Sequence, residues 1–327
     1  MQFRPRWRIA WILVATVLPL LFASCSREVA PLHVALNPWP GYAFLFLAQE
    51  RGYFADEGLD VRLVELLSLG DVRRAFEHRH VEIMASSIVE PILLAESAKS
   101  APRIIHICDA SNGSDVLLGQ PSVTSLNDLV GGRIGYESMS VDVIGVYAAL
   151  QHASIDVSQV TLVPMPQAEL ASAFRSGDLT AIQCYPPIST QLTAQTNCTR
   201  LFDSSGNRTT VYDCLTATHE VLQERPEDIQ KFMHAYHRAV QDYIANRQEA
   251  IEIMSRRTGM SEEDFHGSLD GLIAYDLEPD RLPPDKPSMK AAVVRAHQAL
   301  DSSPDLELSQ TAETIAETIL EFYSPTP

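Results

Sequence analysis

From Leu32 to about Val211 the chain repeats one pattern: a short, nearly continuous apolar run, then a longer segment apolar at every third or fourth position. Short continuous runs read as strands covered on both faces, and the wider spacing reads as a helix with one buried stripe. The predicted strands are Leu32–Leu36, Val61–Glu65, Ile83–Ala85, Ile104–Cys108, Val116–Leu118, Arg133–Tyr136, Val160–Pro164 and Ala181–Cys184. Between them, Tyr42–Arg51 is a predicted helix, and Val141–His152 sets Val143, Val146, Tyr147 and Leu150 on one helical face. Strands alternating with helices predict an α/β fold. A faint internal echo divides it in two. Ala75-Phe76 leads through His80-Val81-Glu82 to Ile83, and Ala173-Phe174 leads through Asp178-Leu179-Thr180 to Ala181. Each copy is a helix end, a turn and a buried strand, as two similarly built lobes would carry.

Beyond about Thr218 the pattern turns helical. Pro226–Arg247, Gln248–Thr258, Ser261–Leu272, Met289–Ser302 and Ser309–Tyr323 are predicted helices, with a proline-rich loop from Glu278 to Pro287. This tail is expected to pack on the first lobe. The predicted division gives lobe 1 residues 32–113 and 214–327, and lobe 2 residues 114–213. The chain would cross near Ser111–Val116 and return near Ser205–Asp213, two stretches rich in Ser, Asn, Gly and Asp. Lobes closing about such hinges form one of the recurring large motions of proteins.

The first residues follow a different pattern. Arg4, Arg6 and Arg8 precede a stretch, Ile9 to Ala23, that is apolar apart from Thr16. This suits the h-region of an export signal better than a membrane span of about 20 residues. Residues 1–24 read as a signal peptide, and Phe22-Ala23-Ser24-Cys25 resembles a bacterial lipobox. Cys25 would then be acylated and anchor the protein to a membrane through a tether, residues 25–31. The expected location is the periplasmic side of the envelope, on the inner membrane rather than the outer, although Ser26 would permit outer-membrane sorting.

Composition narrows the function. The chain has 327 residues, enough for two lobes. Its 25 Lys+Arg against 42 Asp+Glu give a net charge of −17, and loss of the leader makes it more acidic, so nucleic acid is not an expected partner. With Cys25 lipidated, Cys108, Cys184, Cys198 and Cys214 remain and allow three pairings. Cys198 and Cys214 flank a candidate loop and are one candidate bridge; four buried thiols are the alternative. The sequence holds no CxxC pair and no His/Cys cluster at zinc spacing, so no metal or cofactor is expected. His234 and His237 share one predicted helix, where a solvated face accounts for them. GxSxG, HExxH, a P-loop and GxGxxG after a strand are all missing from the sequence, so it reads as a binding protein and not an enzyme.

The candidate chemistry gathers at loops after predicted strands, where open α/β sheets bind ligands. Asn37-Pro38-Trp39-Pro40-Gly41-Tyr42 follows the first strand. Its prolines stiffen the loop, and Trp39 and Tyr42 are candidate walls for a ring, an alkyl chain or an ammonium group. Ser86 follows another strand, able to cap a helix or to meet an anion. Ser111 and Asp115 sit at the first crossing, and Asp213 follows Tyr212 on the return. Glu137-Ser138-Met139-Ser140 precedes a helix whose free N–H groups would make an anion cradle, with Ser140 as cap or contact. Tyr185 stands before Pro186-Pro187. For each of these a plain structural role is the alternative. Aromatics with Asp115, Glu137 and Asp213 suggest a ligand with an amine or nitrogen heterocycle, with or without an anionic group beside it.

These residues also resemble a known group. Asn37–Tyr42 with the run to Glu65 resembles the opening of periplasmic substrate-binding proteins of ABC importers in the nitrate/sulfonate/taurine group, which is related to binders of thiamine-pyrimidine precursors. Asp109–Asp115, Gly135–Ser140 and Tyr185–Pro187 add to the likeness, which extends from Leu32 to about Leu272. The resemblance implies a two-lobed, type II periplasmic-binding-protein fold and a monomer. It also implies a small organic ligand such as a taurine-like sulfonate or a pyrimidine precursor, an ABC permease and its ATPase as partners, and an aromatic at Tyr185 facing the cleft. A lipoprotein that senses the ligand and signals to a membrane receptor is the other reading. In the family, the turn echoed above reads Gly-x-Val-Asp; Gly177 keeps its glycine, and Arg79 replaces it.

Overall fold

The computed structural model describes residues 30–96, 102–207, 211–277, 281–303 and 306–325. The expected leader and the acylation site Cys25 lie outside the described residues. The strands are β1 (Leu32–Leu36), β2 (Val61–Glu65), β3 (Ile83–Ser87), β4 (Pro102–Ser111), β5 (Val116–Gly119), β6 (Arg133–Tyr136), β7 (Thr161–Pro164), β8 (Ala181–Cys184), β9 (Thr199–Asp203), β10 (Tyr212–Thr218) and β11 (Leu272–Ala274). The α-helices are α1 (Ala43–Glu50), α2 (Tyr53–Asp56), α3 (Leu69–Glu77), α4 (Val89–Glu96), α5 (Asp142–His152), α6 (Gln167–Arg175), α7 (Ile188–Gln195), α8 (His219–Glu224), α9 (Pro226–Ala245), α10 (Arg247–Thr258), α11 (Glu262–Asp270), α12 (Lys286–Asp301) and α13 (Ala312–Ile319).

The strands form two sheets, ordered β11-β4-β10-β3-β1-β2 and β7-β6-β8-β5-β9. In the first, β1 lies between parallel β2 and β3, and antiparallel β10 separates β3 from β4. In the second, β6 lies between parallel β7 and β8, and antiparallel β5 separates β8 from β9. Setting β11 aside, the two sheets have the same topology. The internal echo falls on equivalent parts: α3 leads to β3, and α6 leads to β8. Phe76 and Phe174 are buried at the two helix ends. Both turns place one residue in the left-handed region, Arg79 at φ 57° and Gly177 at φ 82°. The arginine therefore holds the conformation that glycine adopts without steric cost.

This is a two-lobed α/β fold of the type II periplasmic-binding-protein class. Continuous apolar runs are buried because helices cover both faces of each sheet. The chain passes from the first sheet to the second between β4 and β5 and returns between β9 and β10. At the crossings Ser111 Oγ lies 2.7 Å from Ser204 Oγ, which also accepts the Gly113 N–H at 2.8 Å. The tail packs on the first sheet through α9, where Phe232 stacks on Phe54 at 5.3 Å and Tyr236 meets Phe44 edge-on at 6.1 Å. Contrary to expectation it does not stay on that lobe: α12 packs against α5 of the second sheet as well as α4 of the first.

A second expectation is also corrected. Cys198 and Cys214 are not bridged; Cys108, Cys184, Cys198 and Cys214 are all free thiols. Cys214 is buried in β10 of the first sheet, and Cys198 precedes β9 at the edge of the second. The segment between them is the return path between the lobes, not a local loop.

Candidate functional site

β1 lies between β3 and the edge strand β2 of the first sheet, and Asn37 to Tyr42 turn above its end. Pro40–Tyr42 form a 3-10 turn that runs directly into α1. Gly41 is required there. A Cβ on it would stand 2.0 Å from Asp109 Oδ2 and 2.8 Å from Trp39 Nε1. The loop thus presses its backbone against an acid at the far end of β4. Asp109 lies directly across the ladder from Asp213 of β10, and the Tyr42 hydroxyl donates to Asp213 Oδ1 at 2.5 Å.

A narrow cleft of only about 10 Å³ lies here, closed down between the lobes and lined by Asn37, Trp39, Tyr42, Leu69, Asp115, Val141, Tyr185, Val211 and Asp213. Trp39 comes from the first lobe and Tyr185 from the loop after β8 in the second. Their rings meet edge to face at 5.8 Å and 87°. Among these lining residues there is no Lys, Arg or His. Several polar atoms that are fully buried have no protein partner: Asn37 Oδ1, Trp39 Nε1, both Asp109 carboxylate oxygens, Asp115 Oδ2, Tyr185 Oη and Asp213 Oδ2. Trp39 and Asp213 nevertheless lie close enough to Asp109 to favour its ionised form. Buried polar groups are normally satisfied, so such a concentration points to a ligand.

Burial dominates the electrostatics. It raises Asp109 to about 7 and Asp115 to about 6. It pushes Asp213 well above the carboxylate range, and the charge of neighbouring Asp109 pushes it further. Two facing acids out of water share their protons more readily than both ionise. A positive or proton-donating group placed between them would reverse that balance.

Of the predicted site residues, the structure brings Trp39, Tyr42, Asp115, Tyr185 and Asp213 to this cavity and sets four others apart. Ser86 is buried in β3 and donates to the Ser87 carbonyl at 3.1 Å. Its neighbour Ser87 makes the turn into α4, accepting from Val89 N at 3.1 Å. Ser111 holds the crossing through Ser204 and receives the Asp115 N–H at 3.3 Å. Ser140 donates to Glu90 Oε1 at 3.1 Å, a hydrogen bond from the second lobe to the first. Glu137 sits against the start of α3; a Cβ on Gly70 would lie 2.8 Å from its Oε1. The expected anion cradle is occupied by the protein itself, since Asp142 Oδ2 accepts from Glu137 N at 2.8 Å and Gln167 Nε2 at 2.7 Å.

Sequence reading missed Asn37, Asp109, Glu90 and Asp142. Asp109 closes a run of apolar residues at a strand's carboxyl end, which was the available signal. Glu90 and Asp142 lie in the first turns of α4 and α5, where an acid usually serves only the helix dipole. Burial raises Glu90 to about 7. A larger groove lined by Phe76, Arg79, Glu82, His219 and Glu224 lies at the other end of β3 and β10. Its Arg79 pairs with Glu220 at 3.3 Å.

A family model described as "NMT1/THI5 like" matches residues 39–250. The chain is 28% identical over 189 residues to the formylaminopyrimidine-binding protein of Halalkalibacterium halodurans, covering 52% of this chain and 54% of that protein, about half its length. It is 24% identical over 235 residues to the taurine-binding periplasmic protein of Escherichia coli, covering 69% of this chain and 72% of that one. In fold it is similar to the alkanesulfonate-binding protein SsuA of Xanthomonas axonopodis bound to MOPS: TM-score 0.74, 15% identity, 89% of this chain and 99% of that chain covered.

Proposed function

The chain belongs to the NMT1/THI5-like family, and from that membership we propose that it is an extracytoplasmic solute-binding protein for a small, nitrogen-rich organic ligand, delivered to an ABC permease. The ligand class is an aminopyrimidine or a related heterocycle able to carry a proton. The carrying observation is the cavity itself. Asp109, Asp115 and Asp213 are buried with unpartnered oxygens, beside Trp39, Tyr42 and Tyr185, and no lining residue is cationic.

An amine or protonated ring nitrogen would satisfy these oxygens and draw Asp109 and Asp213 into their charged forms, while the aromatic edges and faces cover the ring. A sulfonate or nitrate would find no compensating cation among the lining residues, so its charge would go unmatched out of water. The formylaminopyrimidine binder among the relatives supports the first class, and the taurine binder supports the second only through its amine. No catalytic step is part of this reading. Ligand contacts drawn from both lobes would stabilise the closed form that a permease recognises. An acyl anchor at Cys25 would hold the protein at the membrane.

The test is thermal unfolding of the full mature chain with formylaminopyrimidine, other aminopyrimidines, taurine, alkanesulfonates and nitrate. An aminopyrimidine at 100 times its dissociation constant should add about 2.7 kcal/mol. Stabilisation by simple sulfonates or nitrate, with none by aminopyrimidines, would refute the ligand class.

A further inference from the structure

Behind the cavity, on the far side of β4, a second cluster has no part in that reading. His106, His237 and Asp276 each offer one ligand atom, and these atoms all lie within 4.8 Å of one another. His106 Nε2 is already 2.8 Å from Asp276 Oδ2. The rings of His106 and His237 stand 5.4 Å apart at 80°.

We propose that His106, His237 and Asp276 form a binding site for a divalent transition-metal ion of the zinc type. Three separate elements bring them together. His106 is fixed in β4 by pairing with Leu215 of β10. His237 comes from α9. Asp276 lies in a 3-10 turn, Tyr275–Leu277, directly after β11, which itself pairs with β4. Two of the three ligand atoms therefore hang from a strand and a long helix, which hold positions better than loops do, and the third from a short turn tied to β4 through β11.

The donor set is two imidazoles and one carboxylate. Two nitrogens and one oxygen suit zinc and its neighbours, whereas magnesium and calcium prefer all-oxygen sites. Bonds of about 2.0–2.2 Å around a four-coordinate ion place neighbouring donors roughly 3.3 Å apart. The His106–Asp276 pair is already inside that spacing at 2.8 Å, and the ligand atom of His237 lies within 4.8 Å of both. Three protein ligands leave a fourth position for water. An ion has a route in, because His237 also lines an open surface groove with Tyr53, His234, Arg238 and Gln241. The basic side of that groove is neutralised: Arg238 pairs with Asp56 at 2.8 Å and Glu57 at 3.4 Å. His234 is itself engaged with Glu57 at 2.9 Å and belongs to the exposed face of α9.

The site is silent in the sequence because its members are far apart along the chain. Asp276 lies near enough to Asp109 for its charge to be felt there, but none of the three residues lines the ligand cavity, so absence of metal binding would leave the proposed solute-binding role standing.

The experiment is calorimetric titration of chelator-treated protein with ZnCl₂, alongside Co²⁺ titration read by visible absorption. We expect one ion per chain and the intense visible bands of a four-coordinate Co²⁺ site. His237→Ala should weaken Zn²⁺ binding on the order of a hundredfold, and Asp276→Asn about tenfold or more. His106 is buried, so His106→Gln is read only where circular dichroism matches the parent. No saturable binding would overturn the proposal. So would a site lost in His234→Ala but retained in Asp276→Asn, which would put the ion on the exposed helix face.

Discussion

The loops after β1 and β6 occupy the same place in two sheets of the same topology, yet they end differently. After β1, Asn37 and Trp39 leave polar atoms unpartnered at the cavity wall, and α1 starts with no side-chain cap. After β6, α5 likewise starts with no side-chain cap, but the polar groups of the loop before it are more fully engaged. Asp142 reaches back to the Glu137 N–H and holds Gln167, while Ser140 spends its hydroxyl on Glu90 across the cleft. Glu137 Oε2, Asp142 Oδ1 and Gln167 Oε1 also lack partners there, so the second loop keeps some polar capacity. On the proposed function, the first loop would meet the ligand and the second would mainly close on it.

That contrast can be broken most decisively at the acids. Asp213→Ala should weaken aminopyrimidine binding by about 3 kcal/mol, roughly a hundredfold or more, by removing a buried charged partner. Asp142→Asn, on the closing side, should change it less than threefold; calorimetry reads both. Trp39→Ala should cost about 2 kcal/mol of affinity and a similar amount of stability, since it removes a ring from both ligand and Tyr185. Equal losses from Asp142→Asn and Asp213→Ala would erase the distinction between the lobes.

Proton linkage gives a second handle. Asp109 and Glu90 are raised to about 7, and Asp115 to about 6, chiefly by burial. Between about pH 4 and 7 the folded chain then holds protons that the unfolded chain has lost, so unfolding free energy falls as pH rises through that window. Urea titrations of the unliganded protein should show this decline, and Asp109→Asn should flatten it. Affinity for a cationic heterocycle should run the other way, strengthening as pH rises through 6 to 7 and the acids ionise.

Smaller effects test the closure and the echo. Ser140→Ala removes one hydrogen bond between the lobes and should cost about 1 kcal/mol, seen as faster ligand release. Gly177→Ala should cost about 1 kcal/mol, because nothing crowds its Cβ position and only the left-handed backbone resists. Arg79→Gly should stabilise by a few tenths of a kcal/mol, as the relief of strain is partly offset by the glycine's own entropy. Chemical denaturation reads both turns.

Much of this was legible in the sequence where one force dominates. β1, β2, β6 and β8 fall on their predicted bounds: β1 and β8 as short, largely buried runs, and the edge strand β2 as an alternating one with Arg62 and Glu65 exposed. β10 was not legible. Tyr212–Thr218 mixes Asp213, Cys214 and Thr216 with apolar residues, and it sits at the point where the pattern turns helical. It is nonetheless the strand that joins β3 to β4. Half the acidic site was hidden with it, because Asp109 gains its meaning only from the residue across the ladder. Trp39, Tyr42 and Tyr185 were legible because large aromatics on proline-stiffened loops have few other uses. Ser86 and Ser111 misled because hydroxyls serve backbone turns as readily as ligands.

The placing of β10 also sets an order of assembly. The second sheet is made from one unbroken stretch, β5 to β9, and can form as soon as Asp203 has been synthesised. The first sheet cannot. Until residues 212–218 arrive, β1, β2 and β3 stand on one side of an open slot and β4 on the other, each with a bare hydrogen-bonding edge and apolar faces. Such edges recruit wrong partners. The part of the protein made first is therefore the last to be finished, and anything that stalls the chain before Tyr212 leaves its stickiest surface waiting in the open.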